Sequence, residues 1–290
     1  MIQDIKKNCG YTFRNEFRIQ SKNQTPRQND FIMFVQNRTV LIKKEASTLT
    51  YLTFSEAKDF CSTDKLIYLF SLISDDNEER SFYLGDTTWL PKEVFKEFSF
   101  ENHNVFRTAK PMCLAFAGVT ASQLANWYRA NTYCGTCASK LVHDEKERMM
   151  RCPNCGAMHY PKICPAVIVA VTNGDKLLLT KYADRDYKKY ALIAGFTEIG
   201  ETIEETVIRE VKEEVGLNVK NIKYYKSQPW SFSDTLLMGF TCEVDGDDTI
   251  KLDQDELALG EWVKREDIEV EFDNISLTNE MIVEFKNGTF

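Results

Sequence analysis

A chain of 290 residues, 43% hydrophobic and 28% charged, is long enough to bury a core in two domains, or in one domain with insertions. Its 44 Asp+Glu against 36 Lys+Arg give a formal charge of −8, which excludes a protein whose main task is coating nucleic acid or an anionic membrane. The 13 Gly and 7 Pro rule out a collagen-like or low-complexity chain, and no apolar run approaches the ~18 residues of a membrane span. The opening MIQDIKKNCG lacks the apolar stretch of a signal peptide, so a cytoplasmic location and reduced cysteines are expected.

Residues 1 to about 105 hold short apolar runs at 31–35, 39–42, 66–73 and 81–84, which predict strands. The acidic stretch 74–79 between two of them reads as a solvated turn, and no catalytic signature appears in this region. At 111–129 the pattern changes: Leu114, Val119, Leu124, Trp127 and Tyr128 among small residues predict a helix. A β-rich N-terminal domain ending in that helix is therefore expected over residues 1–131.

Cys134-Gly135-Thr136-Cys137 and Cys152-Pro153-Asn154-Cys155 then form two C-x2-C pairs with 14 residues between them. Two such turns present four sulfurs to one point and close a tetrahedron around Zn²⁺. A closed shell leaves no position for substrate, so the metal of this 132–160 ribbon is expected to be structural and to contribute to folding. A dithiol redox site is the weaker reading, since one exchange reaction does not need two matched pairs. Cys9, Cys61, Cys113, Cys164 and Cys242 are expected as isolated packed thiols.

Beyond the ribbon, a β-branched run at 166–171, Asn173-Gly174-Asp175, and a second run at 176–180 predict a hairpin. Further strands are expected at 191–194, 222–226, 236–242 and 261–264, with a last helix at 277–286 capped by Ser276 and followed by Gly288. Strands alternating with two helices predict an α/β sandwich from about 161 to 290.

The segment from Gly195 to Leu217 reads GFTEIGETIEETVIREVKEEVGL. Glu210, Glu213 and Glu214 stand at i, i+3 and i+4, so a helix puts their carboxylates on one face, where they repel unless a divalent cation lies among them. Hard oxygen ligands of this kind suit Mg²⁺ or Mn²⁺. Ile203, Val207, Val211 and Val215 form an apolar stripe for packing on a sheet, and Arg209 stands one turn before Glu213. Upstream, Lys181, Arg185, Lys188 and Lys189 form a basic stretch that reads first as a solvated loop.

The spacing G-x5-E-x7-R-E-V-x-E-E-x-G-L resembles the Nudix box of the Nudix hydrolases, which cleave a diphosphate linked to another moiety. The ribbon ahead of the box, Asn126-Trp127-Tyr128-Arg129 before Cys134, and Ser227-Gln228-Pro229-Trp230 after it resemble one branch, the NADH pyrophosphatases or NAD-capped RNA hydrolases. That branch carries SQPWPFPxS where this chain has SQPWSFSDT, so Ser231, Ser233 and Thr235 depart from it. The resemblance implies an α/β/α Nudix sandwich with a mixed sheet at 161–290. It also implies a homodimer acting on NADH, NAD+ or NAD-capped RNA ends.

By the same resemblance Glu210, Glu213 and Glu214 ligate Mg²⁺ or Mn²⁺ with the carbonyl of Ala194 and with Glu256, and Arg209 supports them. Substrate contacts fall on Gln228, Pro229, Trp230, Ser231, Phe232, Ser233, Asp234 and Thr235, and on Phe196, Glu147, Tyr160 and Thr278. The alternatives are a broader hydrolase of ADP-ribose or diadenosine polyphosphates, and an RNA 5′-end-binding decapping module.

Overall fold

The computed structural model describes residues 1–15, 25–45, 48–183 and 189–290; Arg185 and Lys188 lie outside them. Two compact units emerge, one holding Met1, Ile163–Trp230 and Asp234–Phe290, the other Ile2–Lys162 with Ser231–Ser233.

The C-terminal unit contains β1 (Cys164–Asn173), β2 (Lys176–Tyr182), β3 (Ile193–Phe196), α1 (Ile203–Val215), β4 (Val219–Trp230), β5 (Thr235–Val244), β6 (Leu257–Lys264) and α2 (Leu277–Lys286). The strands lie in the order β4-β5-β1-β2-β6, with β3 also on β1, and β1 runs parallel to β5 while its other pairings are antiparallel. The unbroken apolar run in β1 follows from burial on both faces. Val167, Val169 and Val171 point to α1 and meet Val207, Val211 and Val215. Ile168 and Ala170 point the other way, to Leu277, Met281, Ile282 and Phe285 of α2. Each such side chain contributes roughly 1.5–3 kcal/mol on burial. The expected α/β/α sandwich with a mixed sheet is what forms.

One boundary differs in a way that matters. The strand predicted at 222–226 runs from Val219 to Trp230, because pairing with β5 continues to Trp230 opposite Thr235. Ser227 to Trp230 therefore belong to a strand rather than a loop, and Pro229 is accommodated because β4 is an edge. The connecting turn is short and closes at Asp234, with φ +58°.

In the N-terminal unit, Tyr11–Arg14, Ile67–Ser74, Glu79–Leu84, Phe31–Met33 and Leu52–Thr53 form one sheet. Thr39–Glu45 pairs with Ser99–Asn102 in another. The run predicted as one strand at 31–35 breaks at Phe34, since Val35 and Gln36 leave the first sheet to pair with Val40 and Thr39. The helix Met112–Ala130 packs Gly118 so closely that a Cβ there would sit 2.2 Å from the Tyr51 hydroxyl, which donates to the Leu114 carbonyl at 2.6 Å. Cys9 and Cys113, both free thiols, meet across 104 residues, with Cys9 Sγ accepting the Cys113 N–H at 3.2 Å, a contact that no local pattern announces. The ribbon strands Val142–His143, Met150–Arg151 and Met158–His159 form a three-stranded sheet. Among the described residues no helix is long and apolar enough to cross a membrane.

Candidate active site

The glutamates ride on α1, whose ends are set locally. Thr202 Oγ1 accepts the Glu205 N–H at 3.2 Å and the Glu205 carboxylate accepts the Thr202 N–H at 2.8 Å, a reciprocal cap readable as T-x-x-E. Gly216, at φ +73°, ends the helix. Between these ends the stripe of Val207, Val211 and Val215 is fully buried, which fixes the rotation of the helix and thus the direction of its acids.

Glu214 is 2% exposed, Glu210 is 8% exposed and Glu213 faces solvent. The Ala194 N–H donates to Glu214 Oε1 at 3.4 Å, tying β3 to the helix. Next to it, a Cβ on Gly195 would stand 1.9 Å from Glu210 Cδ and 2.0 and 2.1 Å from its oxygens, so the glutamate fills the space that any side chain at 195 would take. Arg209 gathers the site. Its Nε and Nη2 hold Glu201 at 2.5 and 2.9 Å, its Nη1 reaches Glu210 at 2.7 Å and Glu213 at 3.0 Å, and Nη2 also donates to the Phe196 carbonyl at 2.9 Å. Glu201, which the sequence reading assigned no part beyond its place in the spacing, is thus the principal partner of Arg209.

The charges are unevenly satisfied. Arg209 draws the Glu201 carboxyl down to about 2, with help from the Glu198 N–H. Burial pushes Glu210 up; Arg209 opposes this, while the charges of Glu213 and Glu256 add to it. The charge of Glu256, distant in sequence and exposed, is thus felt at Glu210. Three carboxylates against one guanidinium leave two negative charges uncompensated, and every donor is a hard oxygen, so the residues fit a divalent cation.

The four ribbon cysteines converge, with all their sulfurs within 4.8 Å of one another, Cys134 to Cys155 at 3.6 Å and Cys137 to Cys152 at 3.5 Å. The N–H groups of Thr136 and Cys137 bring Cys134 down to about 7, and the hydroxyl and N–H of Ser139 bring Cys137 to about 5. Cys155 is favoured as thiolate by the Ala157 N–H, yet the three neighbouring sulfurs outweigh that and push it up to about 12. Thiolates that resist joint ionisation without a cation fit Zn²⁺.

The residues assigned to substrate fall in different settings. Gln228 is fully buried, its Nε2 donating to the Ile275 carbonyl at 2.8 Å and its Oε1 accepting the Leu277 N–H at 2.7 Å, so its amide joins β4 to the start of α2. Pro229 is exposed, Trp230 and Asp234 are half-buried, and Thr235 is buried at the start of β5. Ser231 and Phe232 are buried, and Ser233 is exposed. Phe196 is exposed beside Gly195, and Thr278 is half-buried in the first turn of α2. In the ribbon, Tyr160 donates its hydroxyl to Glu147 at 2.8 Å, both exposed.

A mixed sheet lies between two helices, with the glutamate helix and Gly195 set against each other, and residues 162–282 of this unit match the NUDIX domain. Residues 129–160 match the NADH pyrophosphatase zinc ribbon domain, so the chain carries a Nudix domain behind a ribbon of that type. Among curated proteins it is similar to the NAD-capped RNA hydrolase NudC of Pseudomonas aeruginosa strain LESB58, 42% identical over 143 residues, 49% of this chain and 51% of the relative. The NudC of Shigella flexneri is 40% identical over 146 residues, 50% of this chain and 56% of the relative. The chain thus matches these curated relatives over about half of their length. Among solved structures, a NUDIX hydrolase from Nitrosomonas europaea aligns with a TM-score of 0.44 at 21% identity, covering 54% of this chain and 91% of that one.

Proposed function

We propose that this chain hydrolyses the diphosphate of NADH or NAD+ to nicotinamide mononucleotide and AMP, and the same bond in NAD-capped RNA 5′ ends. The observation that carries the reading is the gathering of Glu210 and Glu213 about Arg209, with Glu214 one turn on, on a helix matched to the NUDIX domain that follows an NADH pyrophosphatase ribbon. Glu210, Glu213, Glu214 and Glu256, with the carbonyl of Ala194, would hold Mg²⁺ or Mn²⁺. When bound, that cation supplies charge neutralisation at the diphosphate and a water of lowered pKa. The chain's own part is positional. Arg209 keeps Glu210 and Glu213 from splaying apart, and the buried Glu214 accepts the Ala194 N–H. Glu213, exposed at the edge of the cluster, is the carboxylate that an incoming water reaches.

On this reading residues 132–160 are a folding element closed by Zn²⁺ on Cys134, Cys137, Cys152 and Cys155. Residues 1–131 and 161–290 are the N-terminal and hydrolase domains of a cytoplasmic homodimer. Trp230 and Phe196 offer the aromatic faces for the bases, and Pro229, Ser233, Asp234, Glu147, Tyr160 and Thr278 remain substrate contacts of the proposal. The occupied amide of Gln228 and the buried ring of Phe232 favour a second reading, a broader nucleoside-diphosphate hydrolase with fewer base contacts.

A panel of NADH, NAD+, ADP-ribose, a diadenosine polyphosphate and NAD-capped RNA, with Mg²⁺ or Mn²⁺ and product identification, tests both. AMP and reduced nicotinamide mononucleotide from NADH support the first reading. Cleavage of ADP-ribose with no AMP from NADH would replace it with the second. RNA binding that weakens steeply with salt, without cap removal, would favour the RNA-binding module.

A further inference from the structure

Phe232 lies in the turn between β4 and β5, and its ring is 4% exposed. Three side chains from the same compact unit touch this residue. The guanidinium carbon of Arg107 stands 4.5 Å from the ring centroid, in cation–π range. The imidazole of His103 meets the ring edge-on, centroids 5.6 Å apart and planes at 75°. Arg38 Nη2 donates to the Phe232 carbonyl at 2.9 Å.

The three groups are themselves held in place. Pairing of Thr39 with Asn102 sets Arg38 and His103 side by side at the end of a ladder, and the His103 N–H donates to the Arg38 carbonyl at 2.8 Å. Arg38 Nε donates to His103 Nε2 at 3.1 Å, which makes that nitrogen an acceptor and puts the imidazole proton on Nδ1, beside Ser122 Oγ at 3.5 Å. Arg107 closes the short 3₁₀ helix His103–Arg107. The turn itself offers little stiffness, since neither Ser231 nor Ser233 restricts φ as proline does and Asp234 is held at φ +58°.

We infer that Arg38, His103 and Arg107 are positioning residues for the Ser231–Ser233 turn: they fix Phe232 and so set where its neighbours Trp230 and Asp234 stand when a dinucleotide binds. The kinetic half of this inference rests on the diphosphatase reading above; the structural half does not. It also gives residues 1–131, which carry no catalytic signature, a part in substrate selection.

The test uses the full chain and its Arg38→Ala and Arg107→Ala variants, with amide hydrogen exchange of the 229–236 peptide and steady-state kinetics on NADH, after circular dichroism confirms folding. Exchange there should accelerate at least tenfold, and KM should rise roughly tenfold, about 1.4 kcal/mol, with kcat within about twofold. Arg107→Lys, which keeps a cation over the ring, should recover part of both changes. If an alanine variant fails to fold, Arg107→Lys and Phe232→Leu carry the test, with smaller shifts of the same sign. Unchanged exchange would overturn the positioning role whether or not NADH is cleaved, and faster exchange with unchanged KM would overturn its link to substrate. Faster exchange in variants of a parent that never cleaves NADH would retire the diphosphatase reading and leave the restraint standing.

Discussion

The two knuckles of the ribbon repeat one backbone design with one chemical difference. In each, the fourth residue after the first cysteine donates its N–H back to that cysteine's carbonyl, Ala138 to Cys134 at 2.8 Å and Gly156 to Cys152 at 3.0 Å. Both residues are left-handed, with φ +59° at Ala138 and +77° at Gly156. Glycine occupies that region at no steric cost, whereas an L-residue there costs roughly 1–2 kcal/mol. Ala138 is exposed, so removing its methyl group forfeits little packing, and a Cβ on Gly156 would meet no atom within 4 Å. Allowing about 0.4–1 kcal/mol for the greater freedom of glycine in the unfolded chain, Ala138→Gly should gain about 0.5–1 kcal/mol and Gly156→Ala should lose a similar amount. Because order in a ribbon is linked to its metal, these differences should appear as a roughly two- to fivefold tightening and weakening of apparent zinc affinity in competition with a chromophoric chelator. Both variants shifting in the same direction, or neither shifting by a measurable factor, would refute the claim that left-handed strain at Ala138 opposes closure.

Glu213→Gln and Glu214→Gln, which keep volume and delete charge, should each lower kcat by roughly a hundredfold or more with the melting temperature preserved; AMP release near the parent rate at saturating Mg²⁺ in both would dismiss the carboxylate cluster as the catalytic centre. Gln228→Leu should cost about 2–4 kcal/mol in urea unfolding, since it strands the Leu277 N–H and the Ile275 carbonyl. A loss under about 1 kcal/mol with a raised KM would instead return Gln228 to the substrate. Arg209→Gln should weaken the protein most at neutral pH and least in acid. The folded Glu201 carboxyl is drawn to about 2 from an ordinary 4.5, chiefly by Arg209, so its stabilisation is full above about pH 4.5 and fades as pH falls toward 2. In the variant that contribution is absent, so its deficit in melting temperature should be largest above about pH 4.5 and shrink as pH falls toward 2, and a deficit that grows with acid would contradict this sign.

What could be read without coordinates followed from how locally each feature is encoded. The β1 run, the α1 stripe and the cysteine pairs each repeat a residue type at a spacing set by one element, so burial and convergence followed from the spacing alone. The setting of Gln228 could not be read locally because its partners, Ile275 and Leu277, lie almost fifty residues away, and an amide on an edge strand carries no sign of whether water, a ligand or a helix end will take it. The setting of Phe232 was hidden for the same reason: Arg38 lies 194 residues before it, and the ladder that delivers Arg38 and His103 joins two short polar-flanked runs with no distinctive pattern. Glu201 stood inside the readable box, but only the folded helix shows that Arg209 turns back to it as well as forward to Glu213.

The contact between positions 195 and 210 also constrains how this site can change over generations. Since a methyl group on Gly195 would stand 1.9 Å from the Glu210 carboxyl carbon, a side chain at 195 has to push that carboxyl out of its place beside Arg209. Shortening Glu210 first would open the space but withdraw a carboxylate from the cluster. Each single step thus displaces or removes that carboxylate, and enlarging 195 once 210 is shortened relieves the crowding without restoring it. A combinatorial library of the two selected for folding alone should return partners in which a larger 195 accompanies a smaller 210, whereas selection for activity should return Gly195 together with Glu210. The two positions are inherited as one character.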